Sequence, residues 1–138
     1  MTSPAPWRIP PDGSVVAVVD DEPLVRSATS SLLRSLGYSC WTFETAERLL
    51  ASDLVTIDCI LSDIQMPTMS GIELVRQVRA RSTEVPIILM SGYHNELADD
   101  LQRGGEIVTM LDKPLDGDLL QNAVAIALDR RAAGQRRG

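Results

Sequence analysis

Short apolar runs alternate with amphipathic segments of helical length along most of the 138 residues of the chain. The strand-like runs occupy 15–19, 39–42, 60–61, 87–90 and 107–111. Because apolar runs separated by helices are typical of strands buried on both faces, the alternation predicts βαβ units and a parallel sheet with helices on each side. The length suits one domain that buries its own core. We therefore expect an α/β fold of five strand–helix units.

The helical segments differ in the strength of their signals. In the first helix the apolar residues recur at four-residue intervals, at Leu24, Ala28, Leu32 and Leu36, and the stripe is widened by Val25 and Leu33. Ser70 and Glu73 have capping-box spacing and predict the start of the third helix. The fourth helix has a short apolar face of Leu97, Ala98 and Leu101, so we expect it to be weakly held.

The two ends of the chain lack this periodicity. We interpret 1–13 as an N-terminal tail and 132–138 as a basic C-terminal tail, because termini without an apolar pattern have little to pack against the core. The predicted folded domain is therefore 14–131.

Composition excludes several classes of function. The 13 basic and 19 acidic residues give a net charge of −6, which makes direct DNA binding unfavourable. No run reaches the ~20 apolar residues that a membrane-spanning helix requires, and the start of the chain lacks the apolar core of a signal peptide. Cys40 and Cys59 have neither metal-site spacing nor a nearby histidine, so we expect buried, reduced thiols. These features favour a cytoplasmic protein.

Polar side chains follow the apolar runs at the points where the predicted strands end. Asp20 and Asp21 follow the first run, and Asp63 follows the third. Ser91 and Lys113 come after the last two runs. Because ligands bind outside the carboxyl ends of parallel strands, the sequence predicts that these five residues line one pocket.

The residue types in this pocket indicate a metal and a phosphoryl group. Carboxylates ~4 Å apart repel each other by roughly 4 kcal/mol per pair, so a cation must join the three acids. Oxygen ligands favour Mg²⁺, with Mn²⁺ as a substitute, and the lack of clustered histidine or cysteine ligands argues against zinc. Lys113 and Ser91 can donate to a phosphoryl group, and Asp63, which stands apart from the Asp20–Asp21 pair, is the predicted nucleophile.

Four motifs resemble those of the receiver domain of two-component response regulators, from about residue 15 to residue 128. They read Val-Val-Asp20-Asp21-Glu-Pro, Leu-Ser-Asp63-Ile-Gln-Met-Pro-Thr-Met-Ser-Gly-Ile-Glu-Leu, Leu-Met-Ser91-Gly and Asp-Lys113-Pro114. Together, in this order and spacing, the four motifs are highly specific for that family.

The resemblance implies a flavodoxin-like (βα)5 three-layer sandwich whose five parallel strands have the order 2-1-3-4-5. It implies that Mg²⁺ is bound by Asp21, Asp63 and the backbone carbonyl of Gln65, with Asp20 holding metal-bound water. Asp63 would be the phosphoacceptor, in contact with Lys113 once phosphorylated.

The resemblance further implies that Ser91 moves toward the phosphoryl group as part of a switch. A cis peptide bond before Pro114 is also expected. The phosphoryl donor would be a sensor histidine kinase or a histidine phosphotransfer protein, with the receiver catalysing the transfer to itself. The domain would be a monomer or a weak dimer that signals through altered protein contacts, chiefly on the surface of the fourth helix, fifth strand and fifth helix.

One position departs from the family pattern, and others are positions that in the family affect access to the phosphoryl group or its hydrolysis. The switch position three residues before Lys113 carries Met110 where the family has Tyr or Phe, and a flexible side chain predicts softer switching. Gly92 leaves an open path to the acceptor, while Gln65 and Tyr93 occupy positions that modulate hydrolysis. For His94 no acidic partner is evident from spacing, so a surface position is expected.

Two other functions remain open from the sequence. A magnesium-dependent phosphohydrolase could use the same aspartyl nucleophile, although Gln65 stands where such an enzyme needs a second acid. A receiver-like scaffold could bind partners without phosphorylation, although the acids, the hydroxyl group and the lysine are all present. The preferred interpretation is a signalling phosphoacceptor and not a turnover enzyme.

Overall fold

The computed structural model describes residues 14–81 and 83–137, with side chains described as far as residue 133. Five strands form a parallel sheet: β1 (Val15–Val19), β2 (Ser39–Phe43), β3 (Cys59–Asp63), β4 (Ile87–Ser91) and β5 (Thr109–Asp112). The strand order is β2-β1-β3-β4-β5, which confirms the predicted sheet. Because β1, β3 and β4 lie inside the sheet, all their residues are buried.

The helices cover both faces of the sheet. They are α1 (Pro23–Ser35), α2 (Ala46–Leu50), α3 (Gly71–Ala80), α4 (Glu96–Arg103) and α5 (Gly117–Arg137), and a short 3-10 helix (Leu54–Thr56) precedes β3. One apolar cluster packs α2, α3 and α4 against one face of the sheet, which includes Ala17, Ile60 and Leu89. The other packs α1 and α5 against Val18 and Ile88. This is the predicted three-layer sandwich.

The buried side of α1 differs from the sequence prediction. Thr29, Ser30 and Leu33 are the buried residues of this helix, whereas Leu24 is 86% exposed. The predicted stripe is therefore correct only in part: Leu33 is buried and Leu32 packs against the core, whereas Leu24 and Ala28 are exposed. Four-residue spacing defines an apolar face without defining how the helix is rotated against the sheet. The exposed leucine instead lines an open apolar groove beside Lys113.

The helices α3 and α4 follow the sequence signals. The Ser70 hydroxyl accepts the backbone N–H of Glu73 at 3.1 Å, as the capping-box spacing predicts. Helix α4 begins after Asn95 and buries only Ala98, while Leu97 is exposed. A helix with so little buried apolar surface is weakly attached to the sheet.

The ends of the described chain add two observations. Helix α5 continues to Arg137, so 132–137 are helical, whereas the sequence prediction places a tail there. The helix extends because this segment is rich in the helix formers Ala, Gln and Arg. The predicted tail at 1–13 and Gly138 lie outside the described residues. Within the described ranges, no helix combines the length and hydrophobicity needed to cross a bilayer.

Candidate functional site

Three carboxylates meet at the carboxyl end of the sheet. Asp20 and Asp21 follow β1, and Asp63 ends β3, the strand next to β1. One carboxylate oxygen from each residue lies within 4.8 Å of the others. Asp20 and Asp63 are buried and Asp21 is half-buried. The parallel topology therefore brings together the acids that the sequence assigns to one pocket.

The buried side chain of Asp20 is fully engaged. Its Oδ1 accepts the backbone N–H of Glu22 at 2.9 Å, and its Oδ2 accepts a hydrogen bond from the Lys113 ammonium at 3.1 Å. Its backbone carbonyl accepts the guanidinium of Arg26 at 2.7 Å, and its backbone N–H donates to the Phe43 carbonyl at 3.2 Å. These bonds hold the carboxylate in one orientation toward the pocket.

Lys113 is the cation that reaches the acids. Its Nζ lies 3.1 Å from Asp20 Oδ2, 3.2 Å from Asp63 Oδ2 and 3.5 Å from Glu22 Oε1, and its side chain is 17% exposed. Burial alone would lower the pKa of Lys113, but the bonds and charges of Asp20 and Asp63 outweigh burial and raise it. The lysine is therefore protonated at neutral pH. Its backbone N–H donates to the Ser91 carbonyl at 2.9 Å, and its peptide bond to Pro114 is cis.

The environment of Asp63 disfavours its negative charge. Burial raises its pKa most, Lys113 lowers it, and the charge of Asp20 raises it further, so that the pKa of Asp63 is raised overall. Its Oδ1 accepts the backbone N–H of Gln65 at 3.3 Å. A carboxylate in this position is stabilised by added positive charge.

The loop after β3 folds back against the backbone of Asp63 and Ile64. Gly71 donates its backbone N–H to the Ile64 carbonyl at 2.9 Å and so closes the loop 65–70. A Cβ at Gly71 would lie 2.5 Å from the carbonyl oxygen of Asp63, so a side chain there would displace the strand that carries the acid. The loop places Gln65, the predicted carbonyl ligand, two residues beyond Asp63.

The donor set fits a hard dication. Three carboxylates face one ammonium group, so negative charge in the pocket exceeds positive charge before Glu22 is counted. Two of the three carboxylates are buried, where unbalanced charge costs most. All the donor atoms are oxygens, which Mg²⁺ and Mn²⁺ prefer.

Ser91 and Met110 lie on β4 and β5, the two strands that follow β3 across the sheet. The buried Ser91 hydroxyl accepts the backbone N–H of Tyr93 at 3.0 Å, and the Tyr93 ring is 69% exposed. Met110 is partly buried, pairs in register with Leu89 and packs against the cluster that contains α2, α3 and α4. Ser91 therefore lies on the strand next to β3, and Met110 lies on the edge strand beyond it.

Three contacts at this end of the sheet are not evident from the sequence. Arg26 bonds to the Asp20 carbonyl, and Glu22 reaches Lys113. His94 is exposed, as predicted, and its Nε2 lies 3.1 Å from Asp99 Oδ2 in α4. Spacings of this kind are not sequence motifs, so only the fold reveals the pairs.

An open apolar groove of about 560 Å³ adjoins the pocket. Its walls are α1 and the segment after β5, and its lining residues are Leu24, Val25, Ala28, Thr29, Leu32, Lys113, Pro114 and Leu115. The groove therefore places apolar surface beside the lysine of the acid pocket.

Comparison with known proteins identifies the family. Residues 16–125 match the sequence profile described as the response regulator receiver domain. The transcriptional regulatory protein FixJ of Bradyrhizobium diazoefficiens is 31% identical over 115 residues, which are 82% of this chain and 56% of FixJ. The sensor histidine kinase RcsC of Salmonella typhimurium is 33% identical over 122 residues, which are 86% of this chain and 13% of RcsC.

Solved structures agree with the sequence comparison. The response regulator StyR superposes with a TM-score of 0.82 at 30% identity, covering 90% of this chain and 63% of that chain. The chain spans about half the length of the curated regulator FixJ. The similarity therefore concerns one part of FixJ.

Proposed function

The chain belongs to the response regulator receiver family, and from that premise we propose that it accepts a phosphoryl group on Asp63 and passes the signal on through altered protein contacts. The observation that carries the proposal is the contact set of Lys113, whose ammonium bonds to Asp20 and Asp63 while all three acids converge. This arrangement offers a nucleophilic carboxylate and a fixed positive charge beside it.

In the proposed reaction, a carboxylate oxygen of Asp63 attacks the phosphorus of a phosphohistidine. The new P–O bond forms as the P–N bond breaks, and the imidazole leaves with the bonding pair and takes up a proton. Lys113 already lies 3.2 Å from Asp63 Oδ2, so its ammonium needs little movement to contact a phosphoryl oxygen. The Ser91 hydroxyl can rotate from the Tyr93 amide to donate to the same group.

Asp21, Asp63 and the Gln65 carbonyl would hold Mg²⁺ or Mn²⁺, with Asp20 binding metal-bound water. When bound, the dication would neutralise charge on the acids and on the phosphoryl oxygens. The raised pKa of Asp63 supports this part of the proposal, because nearby positive charge favours the ionised nucleophile.

Switching would run through Ser91 and Met110. The partly buried Met110 can refill space after Ser91 moves, but its flexible chain has no two sharply distinct positions, so we propose soft transmission to β5. Gly92 would admit the donor, since nothing lies within 4 Å of a Cβ built there. Gln65 and the exposed ring of Tyr93 would modulate water access to the phosphoryl group.

The proposed donor is a sensor histidine kinase or a histidine phosphotransfer protein. Similarity to part of RcsC supports a place in such a pathway. We propose that the receiver unit is 14–131, that it acts in the cytoplasm as a monomer or weak dimer, and that it does not itself bind DNA. The two buried free cysteines, Cys40 and Cys59, fit a reducing compartment.

Intact-mass measurement with acetyl phosphate tests the proposal. The parent protein should gain one phosphoryl group with Mg²⁺ and none after chelation, and Asp63→Asn should gain none in either condition. Asp118→Asn, which changes an exposed acid at the start of α5, is the matched control and should label as the parent does. Labelling of Asp63→Asn at the parent rate, or labelling that ignores Mg²⁺, would refute the proposal.

A further inference from the structure

Thr68, in the loop after β3, has an unusual backbone conformation. Its φ is +67°, and it is the only residue other than glycine with a positive φ among the described residues. Left-handed φ values are unfavourable for β-branched side chains, because Cβ crowds the backbone. The backbone N–H of Met69 donates to the Pro67 carbonyl at 2.8 Å, so Thr68 is the central residue of a three-residue turn. A turn of this kind with positive φ is rare and strained.

The turn lies in the middle of the loop that carries the proposed metal ligand. The side chains of Met66 and Met69 pack against the apolar cluster on the α2, α3 and α4 side of the sheet, so the loop is anchored on both sides of Thr68. Gln65 precedes this anchored stretch, and the bond from Gly71 to Ile64 closes it. Thr68 and Gln65 therefore lie three residues apart in one short loop that this bond closes.

One side chain outside the loop bonds to the strained residue. The Thr68 hydroxyl donates to Glu47 Oε2 of α2 at 2.7 Å, across 21 positions of sequence. The other described hydrogen bonds of 65–70 join the loop to itself, to β3 or to α3. Only the bond to Glu47 joins it to α2. The same bond lowers the pKa of Glu47, so its carboxylate is ionised at neutral pH and accepts strongly.

We propose that Glu47 is a positioning residue, which holds Thr68 in the strained turn and thereby sets the Gln65 carbonyl for the dication. This inference rests on the proposed function, because the consequence is measured as Mg²⁺ affinity. Glu47 acts through Thr68 and does not itself touch the acid pocket. Without the bond, a threonine at this position relaxes toward negative φ and the loop 65–70 moves with it.

Substitutions at Thr68 and Glu47 distinguish the effect of the hydrogen bond from the effects of the Glu47 charge and the Thr68 side-chain shape. Thr68→Val keeps the β-branched shape but has no hydroxyl, and Glu47→Ala removes the acceptor. Thr68→Ser and Glu47→Gln each retain a bonding group, while Thr68→Gly accepts positive φ without help. Glu44→Ala is the control, because it removes an exposed acid three positions before Glu47.

Two measurements are made on the full chain: amide hydrogen exchange of Met69 and Gly71 without metal, and an NMR titration with MgCl₂. We expect faster exchange and roughly tenfold weaker Mg²⁺ binding for Thr68→Val, with about fivefold weaker binding for Glu47→Ala. Thr68→Ser, Glu47→Gln and Glu44→Ala should stay within about twofold of the parent. In the Thr68→Gly background, Glu47→Ala should cause no further loss.

Unchanged exchange in Thr68→Val and Glu47→Ala would overturn the inference. So would faster exchange with parent-like Mg²⁺ affinity, or an equal loss for Glu47→Gln and Glu47→Ala, which would indicate a charge effect alone. If the parent itself binds no Mg²⁺, the proposed function fails and so does the consequence for the metal. The exchange rates then still decide separately whether Glu47 holds the turn.

Discussion

The two ends of the sheet use charge in opposite ways. At the carboxyl end, Asp20, Asp21 and Asp63 converge, the Lys113 ammonium contacts Asp20 and Asp63, and negative charge is left unbalanced. At the amino end, arginine side chains bond to backbone carbonyls at the places where chain segments meet. The carboxylates at the carboxyl end repel one another, and a bound cation can reduce that repulsion. The arginine–carbonyl bonds at the amino end stabilise the fold without any ligand.

Arg79 shows how the amino end is built. Its guanidinium donates to the carbonyls of Thr83 at 3.1 Å, Val85 at 2.9 Å and Glu106 at 2.6 Å, which joins the segments leading into β4 and β5. Burial is the main cause of the lowered pKa of Arg79. The half-buried cation is tolerated here because three carbonyl oxygens accept its N–H groups.

Asp58 and Arg131 make a second connection at the amino end. Asp58 Oδ1 lies 3.2 Å from Arg131 Nε, and Asp58 Oδ2 accepts the backbone N–H of Val15 at 2.8 Å. Arg131 also donates to the Val55 carbonyl at 3.2 Å. One acid is matched here by one base, whereas three carboxylates converge at the other end and Lys113 contacts two of them. The comparison shows that charges are paired at one end of the sheet and left unbalanced at the other.

The largest expected effect on stability is at the amino end. Arg79→Met leaves three carbonyls without their donor, so we expect a loss of about 3 kcal/mol in the free energy of unfolding. Urea denaturation measures this loss. Arg76→Met, which removes an exposed partner of Glu73, is the control and should cost less than about 0.5 kcal/mol. Mg²⁺ affinity and phosphorylation of folded Arg79→Met should equal those of the parent; a large loss of either would break the division between the two ends.

The next largest effect is expected at Lys113. In Lys113→Met the acids lose their cation, and the metal-free protein should lose about 2 kcal/mol of stability. Mg²⁺ should bind this variant more tightly than the parent and should restore most of the loss. Thermal unfolding with and without MgCl₂ provides the measurement, and Arg103→Met on exposed α4 is the matched control. A loss that Mg²⁺ fails to restore would mean that Lys113 stabilises the fold by packing and not by charge.

The smallest effect has the opposite sign. Because burial raises the pKa of Asp63 above its ordinary value of 3.8, its contribution to stability is full below that value and is lost as pH rises through the folded-state pKa. Asp63→Asn should therefore be slightly more stable than the metal-free parent at neutral pH. Urea denaturation from about pH 7 to about pH 4 should show this advantage shrinking as pH falls. An advantage that stays constant with pH would contradict the unfavourable charge at Asp63.

Part of the site follows from local sequence. Asp20, Asp63 and Lys113 each come within two residues of the end of a strand-like run, and parallel strands carry their carboxyl ends to one edge, so the convergence of the acids and the lysine was predictable. The capping-box spacing of Ser70 and Glu73 likewise predicts the start of α3, because capping joins residues within one turn. A helix cap depends on residues close in sequence, and the convergence of strand ends depends only on the parallel direction of the strands.

Only the tertiary structure decides the contacts between distant or differently rotated elements. The bond between Glu47 and Thr68, the carbonyl partners of Arg79 and the outward position of Leu24 have no signal in residue spacing. Each depends on how a helix is rotated and how far it slides against the sheet, which is set by the packing of the whole core. Local patterns along the chain were therefore enough to predict the α/β topology and the residue types at its carboxyl edge, while the packing of the core set the contacts among distant side chains.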